Sequence, residues 1–518
     1  MSAQRKYPIG LQSFQEIREE GYVYVDKTAE IYNLVTYGAK TVFLSRPRRF
    51  GKTLLCSTLH AYFEGKKELF DGLSISRMES KWTKHPVMSI SFAGFKGSSI
   101  DELNQWINLL LTDYEKQYEV EVITTTPATR LVRIVKTMAE VAKERPVVLI
   151  DEYDTPLLNV IGNDEALDAL RETLQAFYAP LKQLEPSLRF LFITGVTKFS
   201  QVSIFSTLNN LDNLSLIDQY SSICGITLDE MMSQMEPDVR ALSEAIGKSL
   251  NDTVDTLRVH YNGYKFSANS PEILNPYSLM KCFQWKKFKD FWFESGTSGY
   301  LVRMLKKYNV QPSQIGAFEA READFDTPTE RIINIVPLLY QSGYLTIKGY
   351  NPEVGKYYLD IPNLEVRIGL MDQLIPNYIT NPVLLRNEIA DIVLYISKGE
   401  IKLGLEKLKS FFKTVPYCAN IDYEGHWQQM MYVVFSLFGA YADVEVHTAK
   451  GRVDMAMIYK NKLYLWELKL NSTAKSALAQ INRNAYSSRF QRLSLPIVKI
   501  GLAFSTKRRT ISSFLIEE

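Results

Sequence analysis

Thr41-Val-Phe-Leu-Ser45, followed by Arg46-Pro-Arg-Arg-Phe-Gly-Lys-Thr53 and then LLCSTLHAYFEG (54–65), decides the fold of the first half of this chain. TVFLS is a continuous apolar run, the pattern of a strand buried on both faces, and the run after Thr53 reads as a helix. Strand, tight loop, Gly-Lys-Thr and helix is the arrangement that cradles nucleotide phosphates. Backbone N–H groups around Gly51–Thr53 would point at the phosphates from the helix N-terminus. Lys52 would reach the β/γ oxygens and the Thr53 hydroxyl would ligate Mg²⁺. The pattern GxxxxGK[ST] asks for a first glycine at position 46, which is Arg. A bare Gly-Lys-Thr can also be an ordinary helix start, so the motif needs a partner.

Its partner is PVVLIDEYD (146–154), which sets Asp151 and Glu152 at the C-terminal end of a second apolar strand. There Asp151 can hold Mg²⁺ and Glu152 can polarise an attacking water. Taken alone, the two acids could be helix-capping carboxylates. A further strand, RFLFITG (189–195), ends in Thr194, a candidate γ-phosphate sensor, with Lys198 as a nearby cation. A capping hydroxyl and a surface lysine are the ordinary alternatives for these two.

Outward from this centre, residues 41–225 alternate apolar runs with amphipathic helices, which predicts an α/β layer with a largely parallel sheet. Residues 226–414 are mainly helical in pattern, with one hairpin expected near Gly343–Leu359. Residues 415–518 return to mixed α/β. Three domains, 1–225, 226–414 and 415–518, are the simplest partition of 518 residues.

The composition, 46% hydrophobic and 23% charged, excludes a disordered or low-complexity chain. Apolar stretches such as Met430–Ala442 fall short of the roughly 20 residues that cross a bilayer. The first ten residues lack the apolar core of a signal peptide. Four scattered Cys, with no CxxC, fit free thiols in a reducing compartment, and five scattered His make a structural zinc site improbable. A soluble cytoplasmic protein with no membrane partner is expected. The net charge of +2 conceals an asymmetry: Ala449–Glu518 carries thirteen Lys/Arg against four Asp/Glu, or +9, leaving −7 on the rest. A basic end suggests a polyanionic partner there, although a solvated basic face would have the same composition.

That end also holds a second constellation. Arg452-Val-Asp454 begins one apolar run and Leu465-Trp-Glu467-Leu-Lys469 ends the next, with Lys460-Asn461 between them. If Lys460-Asn461 is a two-residue hairpin loop, Asp454 and Glu467 are directly opposed, with Cβ atoms about 5 Å apart. Two carboxylates so placed can share a divalent cation. Lys469 falls on the same face by strand alternation, while Trp466 and Leu468 point into a core. Such a set suits metal-assisted phosphodiester hydrolysis. A cross-strand ion pair on a solvated face is the plain alternative. His426 and His447 flank this region without a ligand-spaced partner and read as core or surface residues. Tyr486 and Phe490, beside Arg483 and Arg489, could stack on a nucleic acid.

Beyond these separate motifs, IGLQSFQEIREEGYVYVDKT (9–28), SRPRRFGKT (45–53), VLIDEYDTP (148–156) and TGVTKFSQVSIFSTLNNL (194–211) together resemble the successive blocks of a bacterial and archaeal AAA-ATPase-like family, related to signalling ATPases of the P-loop class. The similarity continues through YNGYKF (261–266), NPYSL (275–279) and LLYQSGYLTIK (338–348), and RPRRFGKT is that family's own form of the loop. The resemblance implies ATP binding by Phe50, Gly51, Lys52 and Thr53, with Asp151 as Mg²⁺ ligand and Glu152 as catalytic base. It also implies a helical lid in the middle region, where LLYQSGYLTI could be winged-helix-like.

The C-terminal blocks resemble the PD-(D/E)XK, or restriction-endonuclease-like, superfamily. Glu424 stands on a first helix, followed by Gly451-Arg452-x-Asp454, Glu467-x-Lys469, and Ala477…Gln480-Ile481 with Tyr486. This implies Asp454 and Glu467 as metal ligands, Lys469 as the catalytic lysine, and Glu424 and Gln480 in support. The expected function is therefore an ATP-binding, ATP-hydrolysing protein with a Mg²⁺- or Mn²⁺-dependent nuclease-like domain acting on nucleic acid, with DNA favoured. A homo-oligomer is compatible with the sequence, which leaves ring, dimer and monomer open. The alternative is a nucleotide switch whose C-terminal domain binds nucleic acid without cutting it.

Overall fold

The computed structural model describes residues 5–121, 126–197, 211–293, 305, 308, 310–315, 318–325, 335–374, 382–413, 423–440, 443–449, 452–483 and 495–518. Within these, the side chains of 382–383, 423–427, 440, 443–445, 448–449 and 452–453 are not described. The chain forms two compact units. The first comprises Met1–Trp292 with Phe318–Asn363, and the second Phe293–Ala317 with Leu364–Glu518.

In the first unit the apolar runs are strands: β1 (Thr41–Ser45), β2 (Val87–Ser91), β3 (Val147–Asp151), β4 (Phe190–Gly195) and the short β5 (Asp212–Asn213). They form one parallel sheet in the order β2-β3-β4-β1-β5. Helices on both faces explain why these strands are apolar at nearly every position. Helix α1 (Lys52–Phe63) follows β1. The helices Ile100–Gln117, Pro127–Ala142 and Asp164–Tyr178 contribute Leu111, Ile134 and Leu174 to a core built on Val148, Ile150 and Ile193. In this order the ends of β1, β3 and β4 lie side by side, and each motif read from the sequence sits at one of those ends.

The middle of the chain is mainly helical. Leu228–Ile246 starts with a capping box in which Thr227 and Glu230 satisfy each other's backbone N–H. Leu250–Tyr261 and Pro276–Trp285 pack with it around Met235, Leu257, Leu279 and Phe283, and a two-stranded ladder joins β6 (Ile226–Thr227) to β7 (Ile273–Leu274). The expected hairpin is present. Helix Val336–Gln341 leads into β9 (Thr346–Asn351) and β10 (Lys356–Asp360), and β8 (Phe318–Arg321) completes a three-stranded antiparallel sheet.

The second unit holds the helices Pro382–Ser397, Ile401–Lys413 and α2 (Tyr423–Leu437), and a five-stranded sheet. Its strands are β11 (Asp443–Ala449), β12 (Arg452–Tyr459), β13 (Lys462–Leu470), β14 (Ile497–Ser505) and β15 (Thr510–Glu517), in that spatial order. β13 and β14 are parallel and the other pairs antiparallel. Helix α3 (Ala474–Arg483) lies in the parallel crossover. Its Leu478 and Ile481 pack on Leu463 and Leu465, whereas Trp466 on the opposite face meets Phe435 and Phe438. Among the described residues, no helix is long and apolar enough to cross a membrane.

Candidate nucleotide site and candidate nuclease centre

At the end of β1 the chain turns through Arg49 and Gly51, both at positive φ (68° and 94°), before α1 begins. Gly51 carries the more extreme value, in a region that side chains rarely adopt. The residue at the missing-glycine position, Arg46, is 1% exposed. Its guanidinium donates to the carbonyls of Ser45 (2.9 Å), Ser215 (3.0 Å) and Tyr220 (3.0 Å) and stacks 4.3 Å from the Phe266 ring centroid. Arg46 thus braces the loop from behind. The Phe50 side chain is buried between Tyr264 and Phe266, so its contribution to the loop is its backbone.

Lys52 lies inside the loop. Its ammonium donates to the carbonyls of Arg46 (2.9 Å) and Pro47 (3.0 Å). Burial lowers its pKa, while Asp151, Glu152 and Asp154 oppose that shift. Asp151 is buried, and burial raises its carboxyl to about 6 despite the neighbouring Thr53 hydroxyl and Lys52 ammonium. Neither oxygen reaches a hydrogen-bond partner of good geometry. Such a buried acceptor, with a threonine hydroxyl beside it and an ammonium nearby, fits a divalent cation. Thr53 and Asp151 open on a cavity of about 360 Å³.

Glu152 takes positive φ (51°) and accepts from the Thr155 hydroxyl at 3.2 Å. The Thr194 hydroxyl is turned into the sheet, where it donates to the Leu44 carbonyl at 2.6 Å. Lys198 lies outside the described residues. One residue missed by the sequence reading is Asp154, fully buried, whose carboxylate accepts from the Val196 and Thr197 amides and from the Thr197 hydroxyl. It ties the end of β3 to the segment leaving β4. Also missed was a mainly apolar recess of about 80 Å³ that Gly51 helps to line, together with Val23, Tyr24, Leu54, Ile223, Pro276 and Met280. A mainly apolar recess that shares Gly51 with the phosphate loop could take a nucleobase.

In the second unit, Lys460 and Asn461 both take positive φ (46° and 58°), as a two-residue type I′ hairpin requires. Tyr459 therefore pairs with Lys462, and Asp454 with Glu467. Both carboxyl groups are buried, Glu467 completely. Lys469 follows two residues on, half-buried and paired in register with Arg452. Across β14, Glu467 faces Gly501, where a Cβ would stand 2.6 Å from the Ala474 carbonyl and 2.8 Å from the Leu478 amide. The missing side chain is what lets α3 settle onto this part of the sheet.

His447, exposed on β11, lies in register with Asp454, a neighbour that sequence spacing did not reveal. Glu424 is in α2, but its side chain is outside the description. Gln480 is partly exposed on α3, one position before the Ile481 that packs on Leu463 and Leu465. Gly451, Tyr486, Arg489 and Phe490 lie outside the described residues. Among the described residues no three His, Cys, Asp or Glu side chains converge on one metal position, so the centre consists of the opposed pair and Lys469.

Comparison with known proteins matches a family to the domain that carries each of these sites. Residues 8–205 match an AAA-ATPase-like family, described as a predicted AAA-ATPase, and residues 422–514 match the PD-(D/E)XK nuclease superfamily. Over 530 aligned positions the chain is 32% identical to an uncharacterized protein in the vnfD 5' region of Azotobacter chroococcum mcd 1, covering 99% of each. The chain belongs to the AAA-ATPase-like family and carries a C-terminal PD-(D/E)XK domain.

For an AAA-ATPase-like protein, the departure at Arg46 now has a physical reason: the side chain replaces a glycine's freedom with three hydrogen bonds that fix the loop. In the PD-(D/E)XK domain the opposed carboxylates can hold a divalent cation between them, and Lys469 can set an ammonium beside a phosphate.

Proposed function

We propose that this protein binds and hydrolyses ATP in its first unit and cleaves nucleic acid, with DNA as the favoured substrate, at the Asp454/Glu467 centre. The observation that carries the nuclease reading is the direct cross-strand register of two buried carboxylates, with Lys469 two residues further along the same strand. Two carboxylates in direct register on one sheet face, with a lysine two residues further along the same strand, form a donor set suited to a divalent cation beside a phosphate.

For the nucleotide, Lys52 exchanges its loop carbonyls for β/γ-phosphate oxygens, and Thr53 with Asp151 holds Mg²⁺. Amides of the Phe50–Thr53 turn cradle the phosphates, and the base occupies the recess beside Tyr24 and Pro276. Glu152 orients the attacking water. Thr194 acts through the β1 backbone, by its bond to Leu44. At the second centre Asp454 and Glu467 hold Mg²⁺ or Mn²⁺, whose chemistry there is polarisation of the scissile phosphate and acidification of water. Lys469 positions the nucleophile and offsets charge on the pentacovalent phosphorus. Glu424 and Gln480 support this set. The functional partition is an ATPase-like domain over 1–225, a lid and middle region over 226–414 and a nuclease-like domain over 415–518, working in the cytoplasm.

Two measurements on the full chain test this reading. Without nucleotide, Mg²⁺ or Mn²⁺ should raise the thermal midpoint of the wild type more than that of Asp454→Ala, the difference being the share of the Asp454/Glu467 centre. ATP turnover should be abolished in Lys52→Ala and reduced at least a hundredfold in Glu152→Gln. A second reading, a nucleotide switch without turnover, draws on Thr194, whose hydroxyl serves the sheet. Tight ATP binding with equal, negligible turnover in wild type and Glu152→Gln would select it.

A further inference from the structure

The turn between β14 and β15, Thr506-Lys507-Arg508-Arg509, sets three cations in succession at one end of the C-terminal sheet. Lys507 and Arg508 are exposed, and among the described residues neither forms an ion pair. No acid is available nearby in sequence, since Leu468–Ile516 contains no Asp or Glu. Exposed cations in succession concentrate positive potential at this sheet end, which an anionic partner can use.

The turn is also held in place. Asn471, which follows β13 at positive φ (49°), donates its backbone N–H to the Phe504 carbonyl at 2.7 Å. Its side-chain oxygen accepts from the Thr506 amide (3.1 Å) and the Thr506 hydroxyl (2.8 Å). The Ser505 hydroxyl accepts from the Arg508 amide at 3.2 Å, and the Thr510 hydroxyl donates to the Lys409 carbonyl at 2.7 Å. A turn held this way loses less entropy on binding than a loose one.

Its position is set by the register. Glu467 pairs with Gly501, Lys469 with Ala503 and Ser505 with Thr510, so the turn extends the same sheet end at which Lys469 stands. From Gly501 to Ser505 is four residues at about 3.3 Å each, or roughly 13 Å from the level of Glu467. Asn471, two residues beyond Lys469, connects the nuclease strand directly to the turn.

We propose that the Thr506–Arg509 turn is a clamp for the phosphodiester backbone, gripping the strand a few nucleotides from the phosphate presented to Asp454 and Glu467. The inference rests on the nuclease reading for its orientation, though not for its charge. Lys507 and Arg508 neutralise successive phosphates, with Arg508 able to pair bidentately, and Asn471 sets the distance between clamp and centre.

The test measures binding of fluorescein-labelled 30-mers of DNA and of RNA to the full chain in EDTA, where cleavage cannot intervene, between 50 and 200 mM salt. The double variant Lys507→Gln/Arg508→Gln should weaken binding roughly tenfold at the low-salt end and reduce the slope of log K against log salt by about 1–2. The control is Lys460→Gln/Lys462→Gln, with the same charge change on exposed lysines at the far end of β12 and β13; it should lose less than twofold. Whichever polymer binds more tightly through the turn names the source of the backbone. An equal loss in both double variants overturns the clamp, as does no binding by the wild type. Cleavage without any effect of Lys507 and Arg508 leaves the nuclease standing and removes the clamp. Turn-dependent binding without cleavage in Mg²⁺ or Mn²⁺ does the reverse.

Discussion

The Asp154 carboxylate accepts two hydrogen bonds from Thr197, one from its amide and one from its hydroxyl, each 2.6 Å long. The pair lies fully buried between the ends of β3 and β4, and burial raises the carboxyl's pKa even with these donors in place. Removing it leaves buried amides without an acceptor. Asp154→Ala should therefore cost about 2–4 kcal/mol. The corresponding fall in thermal midpoint, about 4–15 °C for a domain of this size, is readable by calorimetry. A midpoint within 2 °C of wild type would show that the two strand ends are held by other means.

Arg46 supplies a sharper test of the phosphate loop. Reversion to the commoner pattern, Arg46→Gly, removes three hydrogen bonds to buried carbonyls and the stacking on Phe266. Nucleotide affinity should fall at least tenfold, measured by titration with a fluorescent ATP analogue. Affinity equal to or better than wild type would mean that the side chain merely fills space.

Asp151 gives a pH dependence whose sign is fixed by its raised pKa. The folded value of about 6 exceeds the ordinary carboxylate value of 3.8, so the folded chain holds the extra proton between them. In Mg²⁺-free buffer the Asp151 contribution to stability is complete below pH 4 and declines as pH rises through 6. Cation binding needs the ionised form, so Mg²⁺-dependent ATP affinity should increase over the same interval. Asp151→Asn should flatten both curves.

At the second centre, Gly501→Ala places a methyl group against the Ala474 carbonyl and the Leu478 amide. Helix α3 must shift, and backbone cannot yield as a side-chain tip can. A loss of about 1–3 kcal/mol is expected from overpacking. Metal protection should weaken with it, because Gly501 is the cross-strand neighbour of Glu467.

What the sequence disclosed depended on how local the constraint was. The Asp454–Glu467 register was legible because a two-residue loop fixes every pairing that follows it. The strand ends carrying Lys52 and Asp151 were legible because phosphate loops and acid-tipped strands have short, contiguous signatures. The recess beside Gly51 was hidden, since Tyr24, Leu54, Ile223 and Pro276 come from four separated segments that only tertiary packing assembles. Arg46 looked like a defect in the loop because its hydrogen-bond partners at Ser215 and Tyr220 lie about 170 residues away. His447 read as a bystander because it was weighed by metal-ligand spacing along the chain, whereas its neighbour Asp454 is reached by cross-strand register between β11 and β12.

The central claim is most directly tested by nicking of supercoiled plasmid by the full chain in Mg²⁺ or Mn²⁺, with and without ATP, comparing wild type with Asp454→Ala and Glu467→Gln. The account predicts nicking by the wild type, a loss of at least a hundredfold in each variant, and ATP-dependence that disappears in Lys52→Ala. Nicking that survives both carboxylate substitutions, or its absence from the wild type on DNA and on an RNA control under every nucleotide condition, would contradict it.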